Sequence, residues 1–245
     1  MRNAWNLLMV GTAVAVLLMS VGCGSKNEAG PETKTAAISG GGTNAARSDA
    51  STPLQGKEAK KAPADPLHPV LEIQTNFGNI VVELDKTQAP ITVDNFLRYV
   101  ESGHYDKTIF HQVLKDYVIM GGAYTESLAE KKAHPPISNE AQRSTLKNSA
   151  GTIAMVRKPD APHSATCQFF INVADNPNLD FKGQNPEEFG YCTFGKVTSG
   201  MDVVRKIAEV DVADKTVDVP GKADKAEFER LPKQTVAIQS LRRLR

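Results

Sequence analysis

The chain has 245 residues and a formal net charge of +1 at pH 7, and its hydrophobic fraction of 40% and charged fraction of 23% are ordinary for a globular protein. With so little net charge, and with no basic stripe interleaved with aromatic residues, the sequence argues against nucleic-acid binding. Its three cysteines and five histidines are scattered without the spacing of a zinc site, so we expect no metal or other cofactor.

The N-terminus is typical of an export signal. Arg2 precedes an apolar run, Leu7–Met19, which as a helix would span only about 20 Å, less than the roughly 30 Å hydrocarbon core of a membrane. Residues 20–23, Ser-Val-Gly-Cys, resemble a bacterial lipobox, in which the cysteine becomes the lipidated first residue of the mature protein. We therefore predict a signal peptide over residues 1–22 and a lipid anchor on Cys23, with cleavage and release as the alternative. The protein would be exported and held at the cell envelope, facing the periplasm or the exterior.

Residues 23–66 are predicted to form a disordered linker. Beyond Cys23 its only bulky aliphatic side chains are Ile38 and Leu54, and it has no aromatic residue. Such a segment cannot bury enough apolar surface to offset its conformational entropy. A flexible chain of this length typically spans roughly 35 Å, which suits a domain held away from a membrane. The folded domain is predicted over residues 67–245.

The domain begins with the pattern of a β-hairpin. Val70–Thr75 is followed by the turn-forming residues Asn76–Asn79, and then Ile80, Val82 and Leu84 recur at every second position. Alternation of this kind predicts two strands with one buried face.

The next segment, Thr87–Gly103, predicts an amphipathic helix of about three turns. Pro90 suits the first helical turn, and Gly103 stands where a helix would stop. The apolar side chains recur at helical spacing: Val93, Phe96, Leu97 and Val100.

From Thr108 onward, short β-rich runs alternate with polar loops. A second helix is predicted over residues 201–210 and a last strand over residues 234–241. The helix would present four apolar side chains on one face: Val203, Val204, Ile207 and Val210. Many short strands with two helices favour a closed or sandwich-like β architecture over a βαβ fold. Spacing alone does not determine whether Cys167 and Cys192 pair, and we expect free thiols.

Several long sequence blocks occur in the order found in bacterial cyclophilins. They include TNFGNIVVELD, APITVDNFL, TIFHQV, PHSATCQFFINV and GYCTFGKVTSGMDVV. The chain thus resembles the cyclophilins over residues 70–241. The resemblance implies a mainly β fold, an eight-stranded antiparallel closed barrel capped by two α-helices. It also implies a peptidyl-prolyl cis/trans isomerase that binds proline-containing segments in a groove on the outside of the barrel. We expect the protein to be a monomer.

The resemblance fails at the position that matters most for catalysis. Isomerisation of an X–Pro bond is slow because its partial double-bond character raises a barrier of about 18–20 kcal/mol. A catalyst lowers this barrier when it grips the proline ring and aims a donor at the prolyl nitrogen of the twisted amide. Cyclophilins supply that donor as an arginine in Phe-His-Arg, whereas this chain reads Phe110-His111-Gln112. Either Gln112 acts as a weaker donor, or Arg157 reaches in as a substitute.

A second departure lies beside the first. Met120 stands where the family has a glutamine that positions the substrate backbone and the arginine. The resemblance assigns the remaining substrate contacts to residues that keep the character of the groove: Tyr117, Val118, Val156, Arg157, Gln168, Phe170, Leu179 and Tyr191. Among these, Val156 and Arg157 fall where backbone groups of the family usually bind the residue before proline. Asn178 occupies a position where tryptophan or phenylalanine is common. Phe110, Met155 and Phe169 are expected in the core.

Two functions follow from this combination. The first is an isomerase acting on exported proteins, with activity reduced by Gln112 and Met120. The second is a non-catalytic module or chaperone that holds proline-containing segments in the retained apolar pocket.

Overall fold

A computed structural model describes residues 65–218 and 225–245. Eight strands close into an antiparallel barrel in the order β1-β10-β3-β4-β6-β5-β7-β2, and β8 and β9 form a separate two-stranded sheet. The elements are β1 (Val70–Thr75), β2 (Gly78–Leu84), α1 (Pro90–Glu101), β3 (Thr108–Leu114), β4 (Val118–Thr125), β5 (Thr152–Met155), β6 (Phe169–Asn172), β7 (Thr193–Ser199), α2 (Met201–Ala208), β8 (Val212–Asp218), β9 (Lys225–Pro232) and β10 (Ala237–Arg243). The expected eight-stranded barrel with two helices is therefore confirmed. The predicted signal peptide, lipid anchor and nearly all of the linker lie outside the described residues.

The opening hairpin has the predicted register and buried face. β1 and β2 pair antiparallel from Val70 opposite Glu83 to Thr75 opposite Gly78. Ile80, Val82 and Leu84 are fully buried, because alternate residues of a strand point to the same side of the sheet.

Both predicted helices are present, and the second is shorter than expected. α1 starts at Pro90 and ends before Gly103, which has a left-handed φ of 67°. α2 ends at Ala208, so the prediction that Val210 lies on its apolar face is wrong. The Val210 amide donates to the Ile207 carbonyl in a turn that leads the chain into β8.

The barrel interior is filled by side chains, as expected for eight strands. Phe96 of α1 packs its ring against Tyr105, Phe169 and Phe194, with centroids 4.9–5.5 Å apart. The prediction that Phe110, Met155 and Phe169 belong to the core is confirmed. Cys167 and Cys192 are buried free thiols, also as expected.

The β8–β9 hairpin is absent from the prediction, and the last strand lies further along the chain than predicted. β8 and β9 pair from Val212 opposite Pro232 to Asp218 opposite Lys225. The hairpin packs beside β3, and Phe228 is its main anchor, with its ring 4.9 Å from that of Tyr124. Four of the seven residues of β8 are polar or charged and most of the strand is exposed, so no hydrophobic alternation marks it as a strand. Within the described residues, no helix is both long and apolar enough to cross a membrane.

Candidate functional site

A row of paired residues crosses four strands on the outer face of the barrel. Gln112 of β3 lies opposite Met120 of β4, Met120 lies opposite Phe170 of β6, and Phe170 lies opposite Ala154 of β5. Directly opposed residues of antiparallel strands project from the same face. Register alone therefore brings Gln112, Met120 and Phe170 side by side.

A bulge in β3 sets the position of Gln112 in this row. Phe110 is opposite Gly121, yet Gln112 is opposite Met120, so β3 holds one extra residue at His111. The close approach of β3 and β4 at this bulge requires glycine at Gly121, because a Cβ there would lie 2.9 Å from the Ile109 carbonyl oxygen. The bulge lets Phe110 enter the core while Gln112 remains half-buried on the outer face.

An apolar hollow lies on one side of the row. It is open to solvent, and its empty space measures about 300 Å³ when the adjoining open solvent is included. Its lining consists of Gln112, Leu114, Tyr117, Val118, Met120, Phe170, Leu179 and Tyr191. The Phe170 side chain is 1% exposed and meets the Tyr191 ring edge-on at 5.7 Å. Seven of the predicted site residues thus share one hollow, and only Leu114 was not predicted.

Asparagine side chains hold two walls of the apolar hollow. Asn176 Nδ2 donates to the Tyr117 carbonyl at 3.0 Å, and Asn178 Nδ2 donates to the Tyr117 hydroxyl at 2.9 Å. Asn148 Nδ2 donates to the Leu179 carbonyl at 3.1 Å. Sequence reasoning noted Asn178 only as the loss of an aromatic residue. Its hydrogen bond to Tyr117, 61 positions away, has no sequence signal.

A polar hollow adjoins the apolar one on the other side of the row. The two share Gln112 and Met120, and the polar hollow also contains the other three predicted residues, Val156, Arg157 and Gln168. The rest of its lining was not predicted: His111, Tyr124, Lys158, Pro159, Ser164, Thr166 and, from β9, Glu227, Phe228 and Glu229. All ten predicted groove residues therefore line two connected hollows.

Arg157 does not reach towards Gln112, contrary to the suggested substitution. Its Nε donates to the Gly190 carbonyl at 2.9 Å, Nη1 donates to the carbonyls of Lys158 and Pro159 at 2.8 Å each, and Nη2 donates to the Pro186 carbonyl at 2.7 Å. The guanidinium carbon also lies 4.8 Å from the centre of the Tyr191 ring. With these bonds in place, Arg157 ties together the loops around the hollows and supports Tyr191.

Gln112 is the donor available at the junction of the hollows. Its carboxamide lines both hollows and is half-buried there. The neighbouring His111 is unsuited to act as a cation, because burial lowers its pKa to about 4 and leaves the imidazole neutral at pH 7. The arrangement therefore offers an apolar hollow with one neutral amide donor at its rim.

Comparison with known proteins identifies this architecture. The family model described as cyclophilin type peptidyl-prolyl cis-trans isomerase/CLD matches residues 70–240. The chain belongs to the cyclophilin family. This cyclophilin is 47% identical over 170 residues to the peptidyl-prolyl cis-trans isomerase cyp18 of Streptomyces antibioticus, an alignment covering 69% of this chain and 95% of that protein. It is 48% identical over 141 residues to peptidyl-prolyl cis-trans isomerase B of Escherichia coli, covering 58% of this chain and 85% of the relative.

A solved structure shares the fold of this cyclophilin. It is a cyclophilin-type isomerase of Cryptosporidium parvum, crystallised in the presence of the dipeptide Ala-Pro. The two match with a TM-score of 0.54 and 23% sequence identity, covering 72% of this chain and 99% of the other.

Proposed function

We propose that the chain is a monomeric peptidyl-prolyl cis/trans isomerase of the cell envelope, acting on X–Pro bonds of exported proteins with reduced turnover. The observation that carries this proposal is the apolar hollow of Phe170, Leu179, Tyr117 and Tyr191, which has the carboxamide of Gln112 at its rim. The curated relatives described above are named as isomerases of this type.

The chemistry required is stabilisation of a twisted amide, without covalent steps. The apolar hollow would hold the prolyl ring, and Gln112 would donate to the prolyl nitrogen as its lone pair localises. A neutral amide donor is weaker than a guanidinium, since charge-assisted hydrogen bonds are roughly twice as strong. A loss of about 1–2 kcal/mol of transition-state stabilisation would slow catalysis roughly 5–30-fold.

Met120 contributes to the same weakness. It lies directly opposite Gln112 and is 5% exposed, so its side chain supplies apolar surface there. A thioether is a poor acceptor and cannot orient a neighbouring donor as a carboxamide would. Gln112 must therefore hold its position without a polar partner on β4.

Restoring both polar residues is expected to raise kcat/KM about 5–30-fold. The variant is Gln112→Arg with Met120→Gln, measured in a protease-coupled isomerisation assay on a proline peptide. A matched control is Gln239→Arg, which adds the same charge at an exposed position of β10 and should leave the rate unchanged. An unchanged or lower rate in the double variant, with the fold intact, would contradict the assigned role of Gln112.

A second function, a non-catalytic proline-binding module, is favoured by one observation. The apolar hollow keeps Tyr117, Phe170, Leu179 and Tyr191, whereas its polar rim lacks the arginine and the glutamine of the family, at Gln112 and Met120. The same assay separates the two functions. A wild-type rate equal to the uncatalysed rate, together with measurable peptide affinity, would establish the binding module.

The location at the envelope rests on the N-terminal sequence, and its test concerns Cys23. In bacterial cells fed a labelled fatty acid, the wild-type protein should carry the label and sediment with membranes. Cys23→Ser should lose the label and most of the membrane association, since a lipid anchor contributes about 0.8 kcal/mol per buried methylene. Unlabelled wild-type protein in the soluble envelope fraction would indicate cleavage and release instead.

A further inference from the structure

The polar hollow has one wall that the barrel itself does not supply. Glu227, Phe228 and Glu229 of β9 line it from the side of β3, across the row from Val156 and Arg157, which follow β5. The wall is fixed by stacked rings. The Phe228 ring meets Tyr124 at 4.9 Å and an interplanar angle of 79°, and Tyr124 meets His111 at 4.8 Å and 70°. The β8–β9 hairpin is thus anchored as part of the groove.

Two buried polar atoms lie at this wall or beside it without a hydrogen-bond partner in the described residues. Glu229 Oε2 is buried and has no hydrogen-bond partner within the described residues. His111 is 7% exposed, and its Nδ1 is also buried and unpartnered in the described part of the chain. In the neutral imidazole, Nδ1 is an acceptor when the proton is on Nε2. Unpartnered buried polar atoms are uncommon in folded proteins and point to a missing partner.

The charges of the hairpin agree with these acceptors. Glu227 is an exposed carboxylate two residues from Glu229 on the same strand. Burial, together with the nearby carboxylates of Asp214 and Glu227, raises the pKa of Glu229. Arg157 makes no hydrogen bond to this carboxylate, because its guanidinium donates to four carbonyl oxygens on the opposite wall, where Lys158 also lies. A cationic group of a ligand would therefore reduce the repulsion between these carboxylates and would donate hydrogen bonds to the unpartnered acceptors.

We propose that the polar hollow binds a lysine or arginine side chain of the client polypeptide, with Glu227 and Glu229 as its partners. This inference rests on the proposed function, which puts the client's proline in the adjoining apolar hollow. Resemblance to the family places the residue before proline at Val156 and Arg157. The basic side chain would therefore lie on the N-terminal side of the proline. An extended chain advances about 3.3–3.6 Å per residue, so a residue two or three positions before the proline is expected to enter the hollow.

The test compares peptides that differ in one side chain. Short proline peptides carry lysine, norleucine or glutamate at the second or third position before the proline, and affinity is measured by calorimetry separately from the isomerisation rate. The wild-type domain should bind the lysine peptide about three- to tenfold more tightly than the norleucine peptide at one of these positions, and the glutamate peptide least well. Raising the salt concentration from 50 to 500 mM should shrink the preference.

The double variant Glu227→Gln with Glu229→Gln should abolish the difference between the lysine and norleucine peptides. A matched control, Glu101→Gln with Asp202→Asn, removes two exposed carboxylates elsewhere and should keep it. Equal affinities at both positions, or a preference that survives in the Glu227/Glu229 variant, would overturn the inference. Lysine preference without catalysis would support the inference and refute the isomerase. Catalysis without a lysine preference would support the isomerase and refute the inference.

Discussion

Phe170→Ala is expected to lower kcat/KM about 30–150-fold. Phe170 lines the apolar hollow and packs there against Val118, Met120, Ala154 and Leu179, so the variant removes the aromatic ring beneath the surface that would hold a prolyl ring. The loss of roughly 2–3 kcal/mol of apolar contact gives this range when the contact is strongest in the transition state. Affinity for a proline peptide, measured in parallel, should fall as well, whether the domain is an isomerase or a binding module.

The matched control for this variant is Phe169→Ala. Phe169 is the preceding residue on β6 and points into the barrel, where it packs against Phe96 and Tyr105. Both truncations should cost about 3–5 kcal/mol of stability through the cavity that they leave. Only Phe170→Ala should lose function when both are assayed well below their melting temperatures. If either protein fails to fold, Phe170→Leu and Phe169→Leu repeat the comparison with a smaller loss of stability. Wild-type rate and affinity in a folded Phe170 variant would refute the site.

Arg157→Ala is expected to destabilise the domain by about 3–5 kcal/mol. The variant leaves the carbonyl oxygens of Gly190, Lys158, Pro159 and Pro186 without their donor and removes the cation beside Tyr191. Hydrogen bonds to a charged group contribute about 1.5–3 kcal/mol each, and buried acceptors without partners add a penalty. For a domain of this size, the melting temperature should fall by roughly 6–20 °C in a calorimetric scan.

Two further variants show whether the geometry or the charge of the Arg157 guanidinium is responsible for the stability that it contributes. Arg157→Lys keeps the charge but cannot reproduce the planar fork, so most of the loss should remain. Arg205→Ala removes an exposed arginine of α2 and should shift the melting temperature little. A stable Arg157→Ala protein with an unchanged melting temperature would show that the loops around the hollows do not depend on the guanidinium.

The elements predicted correctly are those specified by short-range pattern. α1 has Pro90 at its start, Gly103 just beyond its end and apolar side chains at helical spacing, and all of these lie within a few turns. The β1–β2 hairpin is specified in the same way by alternation and an adjacent turn. The groove residues came from motif resemblance, because Gln112, Phe170 and Leu179 come from separate segments and meet only when β3, β4 and β6 pair.

The features missed are held by contacts between distant segments. β8 and β9 carry mostly polar residues, and their place in the groove depends on Phe228 meeting Tyr124 across the fold. The alternative in which Arg157 substitutes for the missing arginine fails because the partners of Arg157 are backbone carbonyls, including two in a loop about 30 positions away. Every residue has a backbone carbonyl, so no sequence pattern could show that the guanidinium of this arginine is hydrogen-bonded to particular ones.

By itself, the sequence determined the family, the first hairpin, both helices and the loss of a charged donor at Gln112, since each depends on residue type or local spacing. Only the tertiary structure decided that Arg157 is held away from the rim and that the β8–β9 hairpin adds an acidic wall beside it. The physical reason is that a hydrogen-bond donor or an aromatic ring finds its partners only when the barrel closes. Closure brings together residues that are far apart along the chain.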